Sequence, residues 1–459
     1  MLHSSTAMRA GIVGLALSSA FYPAVAFAHA FGQQYTLPLP AHFYIIGGSV
    51  VLVLSFALLF FLPAYKGIYK EKQILSGTYS TTLFNVLRAL SVLILLVTIG
   101  IGLWGSQTPA ESLTPYLFWI GLLLGFAYLS IFVQGVWERV NPFVFEIPFL
   151  RHIAPTETLA PPLHHLPAVV LYGVLLWIEL LSGGVSAVPK YIAIGVVCYA
   201  LYAWFIIDRY GKEIWNKHFD VFGVFFRLLG FLAPIVVRDD GVYLRTPRIK
   251  THELFVPSLG LTLFIIAILA FTAFDGFRET VIYVQTFITF FSVVPYSVIE
   301  LLMFVFFPIL FFATYALCIY AVQRIGKTEQ PYRALLGTYA YSLIPIAVVY
   351  HVAHYFSLFL VEGQRIIQLV SDPFALGWNL FGTKDYVVNL GIIGADTVWY
   401  FQVVIIVAGH ILALYLSHTT TRTLIPERIR AMYAELPLLG VMVLYTAFGL
   451  WILSQPFAL

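Results

Sequence analysis

Ten long apolar stretches constrain the fold of this chain more than any other feature. A helix needs about 20 apolar residues to cross about 30 Å of hydrocarbon, and each stretch is close to that length. They therefore predict an all-α fold, a polytopic transmembrane helix bundle of about ten helices. The stretches lie near residues 42–64, 83–104, 114–136, 165–183, 191–208, 255–273, 296–323, 335–361, 392–417 and 435–454.

The composition favours the same class. Of the 459 residues, 60% are hydrophobic and 10% are charged, whereas soluble domains carry about 25% charged residues. So few polar side chains cannot cover a water-exposed surface, and the lipid bilayer is the expected solvent. Residues 29–459 are predicted to form a single integral membrane domain. The two cysteines, Cys198 and Cys318, form no disulfide framework or zinc motif, and no motif indicates nucleic-acid binding.

Residues 1–28 have the layout of a secretory signal peptide. Arg9 precedes an apolar run, and the small-residue site Ala26-Phe27-Ala28 follows. Cleavage there would leave His29 at the N-terminus, where its amino group and ring could chelate copper together. Cleavage after Ala30, or an uncleaved first helix, are the alternatives.

The distribution of Lys and Arg predicts an orientation. If the mature N-terminus is outside, the inner loops and helix ends hold twenty Lys and Arg, and the outer loops hold only Lys190, Arg278, Arg365 and Lys384. Cytoplasmic loops carry such an excess. The sequence therefore predicts a multi-pass protein of a bacterial inner membrane, with both termini in the periplasm. The largest inner loop, 209–254, is basic and predicts a cytoplasmic hairpin on the membrane surface. Within it, 220–236 is interpreted as interfacial or re-entrant.

Histidines and carboxylates from different stretches fall at one predicted depth. His351 and His354 lie three residues apart, hence on one helix face, in the outer third of the eighth stretch. Glu300 lies about 6 Å below the outer end of the seventh, by a rise of about 1.5 Å per residue. Asp396 begins the ninth stretch, and Glu179 is similarly shallow in the fourth. Ionisable groups at membrane depth tend to be paired and functional.

Two His with carboxylates is the ligand chemistry of zinc, iron or manganese, and a bound metal would lower the pKa of a water. The interpretation is a divalent metal site with His351 and His354 as ligands and with Glu300 and Asp396 as ligands or general base. Glu179 is a weaker candidate, and His29 would suit copper. A structural polar network, a transport relay, and a haem or copper redox subunit are the alternatives. A partner subunit could complete the site.

Other polar residues have simpler interpretations. His410 lies deeper on the ninth stretch, as a supporting group, a haem ligand or a packing residue. Glu138 and Arg139 are expected to form a local ion pair, and Asp275 lies in an outer turn from which it could reach the site. Interfacial positions are expected for three further histidines, His164, His165 and His418.

Several motifs spread over the chain resemble those of bacterial membrane proteins known as fenitrothion hydrolases. They are His29-Ala30-Phe31-Gly32-Gln33-Gln34-Tyr35, Asn141-Pro142-Phe143, Asp275-Gly276-Phe277, Tyr350-His351-Val352-Ala353-His354-Tyr355-Phe356, Glu362-Gly363-Gln364, Ser371-Asp372-Pro373-Phe374 and Trp399 through His410. The resemblance implies hydrolysis of a hydrophobic organophosphorus triester with release of a nitrophenol. The predicted site, near the lipid–water boundary, is compatible with such a substrate.

Overall fold

The computed structural model describes residues 40–61, 70–144, 163–246, 258–288 and 294–455. In these residues, nine helices are long and apolar enough to cross a membrane, which confirms an all-α polytopic bundle. The helices are α1 Ala41–Phe61, α2 Gly77–Trp104, α3 Leu113–Phe132, α4 Val136–Val140, α5 Leu166–Leu181, α6 Pro189–Tyr210, α7 Val221–Leu229, α8 Leu259–Arg278, α9 Tyr296–Gly326, α10 Tyr332–Ala340, α11 Ile344–Glu362, α12 Gln364–Leu369, α13 Ala395–Leu424 and α14 Arg428–Ser454. Single turns lie at Pro109–Glu111, Val185–Ala187, Lys212–Ile214, Trp215–Phe219, Gly230–Leu232, Tyr341–Leu343, Val281–Tyr283 and Val284–Ile288.

Nine of the ten predicted stretches correspond to these long helices, and α10 to α12 together form one of them. The tenth, predicted near 165–183, is α5, which has only 16 residues. At about 1.5 Å per residue it is about 24 Å long.

Successive crossings alternate in direction. We name the end of the bundle where α2, α8 and α11 terminate the site end, and the opposite end the sheet end.

Helix α8 lies at the centre of the bundle. In its most apolar window 89% of the residues are buried inside the protein, against 17% for α1. Its residues Phe264, Ala270 and Phe274 are fully buried. Helix α1 instead exposes large apolar side chains, which suits a lipid-facing position. Polar groups on α8 are therefore surrounded by other helices rather than by lipid.

The sheet end carries a small four-stranded sheet that was not predicted. Its strands are β1 Glu71–Ser76, β2 Val133–Gln134, β3 Ile235–Arg238 and β4 Gly241–Arg245, in the order β1-β4-β3-β2. Strand β4 pairs antiparallel with both β1 and β3, and β2 pairs parallel with β3. Arg238 forms a bidentate ion pair with Glu71, which ties β3 to β1.

The predicted surface hairpin at 209–254 is instead built into the protein. Eight of the nine residues of α7 are buried, and its Phe225 ring lies 5.3 Å from the His351 ring. Buried Arg245 donates to the Ala233 and Phe231 carbonyls at 2.8 and 3.0 Å, where the helical segment ends. The α7 segment thus enters the bundle, and the strands that follow it lie in the sheet. The predicted signal peptide, His29 and residues 247–254 lie outside the described residues.

Candidate functional site

His351 is buried near the middle of α11 without a polar partner. Its side chain is 4% exposed, and neither ring nitrogen has a hydrogen-bond partner. The ring packs edge-on against Phe225 and lies 4.9 Å from the ring of Tyr355. An unpartnered buried polar group costs about 1–3 kcal/mol. Packing therefore holds His351 in place, and its ring nitrogens Nδ1 and Nε2 are free to contact a small bound molecule.

A narrow cavity joins His351 to Glu179. Both residues line it, as do Tyr172, Phe271 and Tyr355. Its volume is about 30 Å³, which is enough for one or two waters. The Oε2 atom of Glu179 is buried and has no hydrogen-bond partner. The cavity thus brings an unpartnered imidazole and an unpartnered carboxylate oxygen, from α11 and α5, to one water-sized space.

One wall of this cavity is an unusual helix. Residues Tyr116–Gly125 of α3 form a ten-residue π-helix, whereas π-helices are rare and mostly single turns, frequently at functional sites. Four of its side chains line the cavity, from Trp119, Ile120, Leu123 and Leu124. The π-helix therefore shapes the apolar side of the space that His351 and Glu179 share.

A second polar group lies beside the cavity. His354 Nε2 is 2.8 Å from Asp275 Oδ2, and the Tyr355 hydroxyl donates to the same oxygen at 3.1 Å. Asp275 is 1% exposed, near the end of α8. A Cβ atom on the next residue, Gly276, would lie 3.5 Å from the His354 ring, so the histidine packs closely on α8. Asp275, predicted to lie within reach of the site, is one of its members.

Two predicted site residues lie elsewhere. Glu300 accepts a hydrogen bond from Arg278 Nε at 2.6 Å, which joins the start of α9 to the end of α8. Asp396 is exposed in the first turn of α13. Glu300 is thus paired with a cation, and Asp396 is open to the surface of the bundle.

The two predicted histidine ligands also have different surroundings. His354 is hydrogen-bonded to Asp275, whereas His351 faces the cavity. Among the described residues, no group of three or more His, Cys, Asp and Glu is arranged to hold a metal ion. The predicted divalent metal centre therefore stays a prediction. His29, the candidate copper ligand, lies outside the described residues.

His165 and His418, for which interfacial positions are predicted, are buried among other residues of the protein. His418 Nδ1 is 3.0 Å from Glu435 Oε2, and Glu435 is 1% exposed. His165 Nδ1 is 3.0 Å from Ser258 Oγ, and its ring lies 4.5 Å from that of His218. Glu435 was not recognised from the sequence, although a carboxylate at the start of an apolar stretch is a usable signal.

Glu138 pairs with a distant residue instead of with its neighbour. Its Oε1 lies 3.2 Å from Arg227 Nε on α7, and Arg139 pairs with Asp239 in the sheet hairpin. The local ion pair predicted between Glu138 and Arg139 is therefore wrong. Both residues instead connect the end of α4 to the segment that enters the bundle.

No family model matches the chain, and no match was found among curated proteins or solved structures.

Proposed function

We propose that this protein is a membrane-embedded hydrolase that activates a water in the cavity between His351 and Glu179. The observation that carries the proposal is that both residues line one water-sized space and that each has a buried polar atom without a hydrogen-bond partner. A buried imidazole that is not engaged elsewhere can act as a general base. The nearby His354–Asp275–Tyr355 group fixes the end of α11 against α8 and so positions His351.

The substrate class rests on the motif resemblance and on the lining of the cavity. A lipid-soluble organophosphorus triester with a nitrophenol leaving group would suit the aromatic and aliphatic walls. The space of about 30 Å³ holds the water but not the ester. We therefore infer that the ester enters between α3 and α11, where Trp119 and Leu358 line the cavity and are only partly buried.

The reaction balances without a further reactant. His351 takes a proton from the water, the water oxygen bonds to phosphorus, and the bond from phosphorus to the aryl oxygen breaks. The nitrophenolate leaves, and the proton on His351 returns to solvent. The unpartnered Oε2 atom of Glu179 can contact the same water and hold it beside His351.

Release of the nitrophenol by purified protein tests the proposal, with His351→Phe as the decisive variant. Loss of a general base lowers the rate about 10²–10⁴-fold. The variant should fold as well as the parent, because the histidine nitrogens make no hydrogen bond and the phenyl ring is apolar. Tyr400→Phe, at an exposed position of α13, is the matched control. Full activity of a folded His351→Phe protein would refute the assignment.

The predicted divalent metal is a separate proposal. If zinc, iron, manganese or copper takes part, extended dialysis against a chelator should abolish nitrophenol release and elemental analysis should find the metal. Activity that survives the chelator favours a reaction that uses the side chains of His351 and Glu179 without a metal ion. A haem subunit would show a visible absorption band in the purified protein.

We also propose the orientation that the charge distribution predicts, with the site end in the periplasm of a bacterial inner membrane. Lys190, Arg278, Arg365 and Lys384 all lie at the site end, near the termini of α6, α8 and α12. The sheet end carries the larger share of Lys and Arg. A hydrophobic ester would then reach the cavity from the outer leaflet.

A further inference from the structure

A second buried acid–histidine pair lies in the opposite half of the bundle. His418 on α13 contacts Glu435 on α14 through Nδ1 and Oε2, 3.0 Å apart. The other carboxylate oxygen, Oε1, is buried without a hydrogen-bond partner, and so is the hydroxyl of Ser417. Glu435 lies seven residues after Arg428, about 10 Å from the sheet end at about 1.5 Å per residue. The nearest titratable group on α10 is Tyr339, whose hydroxyl contacts Thr421 Oγ1 at 2.8 Å.

His410 lies between this pair and the cavity. It precedes His418 by eight residues, about 12 Å along α13, and is 3% exposed. Its Nδ1 is 2.8 Å from the Ile406 carbonyl oxygen, so Nδ1 carries the proton, and Nε2 is buried without a partner. In neutral imidazole the other nitrogen is then an acceptor. Ser417 follows two turns later on the same face of α13.

Helix α13 packs tightly along α11, which places His410 close to His351 in depth. A methyl group on Gly409 would overlap Val349 and lie 3.1 Å from the Pro345 carbonyl oxygen. Nearer the site end, Gln402 Nε2 donates to the Ala353 carbonyl at 2.8 Å. His410 is therefore level with residues 345–349 of α11, about 3–9 Å below His351 along the axis.

We propose a proton path between the sheet end and the cavity, formed by Glu435–His418, then His410, then His351–Glu179. Each of these three groups can bind and release a proton, and each has a buried polar atom without a hydrogen-bond partner. Such atoms are expensive inside a membrane, and chains of Asp, Glu and His there mark proton relays. The path is a function beyond hydrolysis and does not depend on it.

One proton moves through the path in separate hops. It binds at Glu435 or His418, is taken up at Nε2 of His410 while Nδ1 keeps its proton on the Ile406 carbonyl, and leaves from the same Nε2 toward His351 at the cavity. About three waters would bridge the interval between His418 and His410, because hydrogen-bonded oxygens lie about 2.8 Å apart. The buried Ser417 hydroxyl lies at the start of that interval and can pair with the first water. Each group returns to its starting state when its added proton moves on, so no other reactant is consumed.

Proton flux into liposomes tests the path. Purified protein is reconstituted with a pH-sensitive dye inside, and a potassium gradient with valinomycin drives proton entry. His410→Phe should slow the protein-dependent flux about 100-fold, the lower end of what a positioned proton-transfer group contributes. Glu435→Gln should have the same effect. Glu427→Gln is the matched control, because Glu427 lies just before α14 but is exposed at the sheet end.

His410→Gln is a second variant in case the larger ring of phenylalanine does not fit. Flux no faster than in protein-free liposomes, or unchanged flux in either folded His410 variant, would overturn the path. Nitrophenol release by the same proteins separates the two proposals. If His410→Phe loses flux but still hydrolyses the ester, His410 serves the proton path and not hydrolysis. If the parent protein carries flux but shows no hydrolysis, the path stands and the proposed hydrolase activity is rejected.

Discussion

Asp275 is the residue on which the geometry beside the cavity depends. It is buried on the central helix α8 and contacts both His354 and Tyr355. Removal of one member of a buried, hydrogen-bonded pair costs about 3–5 kcal/mol, because the remaining partner is left unsatisfied. We therefore expect Asp275→Ala to lower the free energy of unfolding by about that amount, measured by thermal or denaturant unfolding in detergent.

Tyr355→Phe is the control for that measurement. It removes only one hydrogen bond to Asp275, and a bond to a charged group contributes about 1.5–3 kcal/mol. The His354 contact remains. If Asp275→Ala is no more destabilising than Tyr355→Phe, then the His354–Asp275 contact contributes nothing to stability.

At the residue scale, the sequence predicted some neighbours of the site and missed others. Helical rise predicts one level for His351 and Glu179, and these two residues line one cavity. Asp396 is instead exposed in the first turn of α13, because rotation about a helix axis depends on packing that no local pattern encodes. Glu300 is paired with Arg278, a residue that the sequence assigned only to an outer loop. Tertiary neighbours decided both outcomes.

At the scale of helices, close approach of α11 and α13 depends on Gly409. A Cβ there would overlap Val349, and small residues allow such close packing between membrane helices. Gly409→Ala should therefore lower stability by about 1–3 kcal/mol through overpacking. A Cβ on Gly440 of α14 would meet no atom within 4 Å, so Gly440→Ala should be neutral or stabilising by up to about 1 kcal/mol. Equal thermal stabilities of the two variants would contradict the expected close contact.

The histidines at the sheet end predict an acid-sensitive element. Burial and neighbouring positive groups lower the pKa of His165 to about 3 and that of His218 to about 4. The neighbours of His218 are His164, Lys217 and Arg227. Unfolded histidine has a pKa of about 6.5, so below that pH the unfolded chain binds more protons than the folded one. Their contribution to stability is thus complete above about pH 6.5 and is lost as the pH falls toward 4.

Thermal unfolding across this pH range checks the prediction. His218→Phe keeps an aromatic ring against His164, whose ring lies 4.3 Å away, but cannot take up a proton. Its stability should fall less steeply than that of the parent between about pH 6.5 and 4. Parallel curves for the two proteins would show that His218 is not the acid-sensitive group.

Some structural elements could not be predicted from the sequence, and the physical reasons can be named. The π-helix of α3 has the same apolar composition as an α-helix, and only the hydrogen-bond register differs. The strand Gly241–Arg245 pairs with Glu71–Ser76, more than 150 residues earlier, a contact that local periodicity does not report. The apolar helix α7 was recognised as non-spanning because Arg227 interrupts it, and the structure pairs this arginine with Glu138.

For the whole molecule, the charge distribution and the fold together make orientation the most informative property to measure. A reporter cysteine at each end can determine it, in a background where Cys198 and Cys318 are replaced by alanine. Val387 is 83% exposed in the loop before α13 at the site end. Glu329 is exposed between α9 and α10 at the sheet end. A membrane-impermeant maleimide should label Val387→Cys in intact spheroplasts and label Glu329→Cys only after the membrane is opened, because the end richer in Lys and Arg stays cytoplasmic. The reverse pattern would place the cavity on the cytoplasmic side, where an ester would have to cross the membrane before hydrolysis and the proposed proton path would open at its sheet end to the outside.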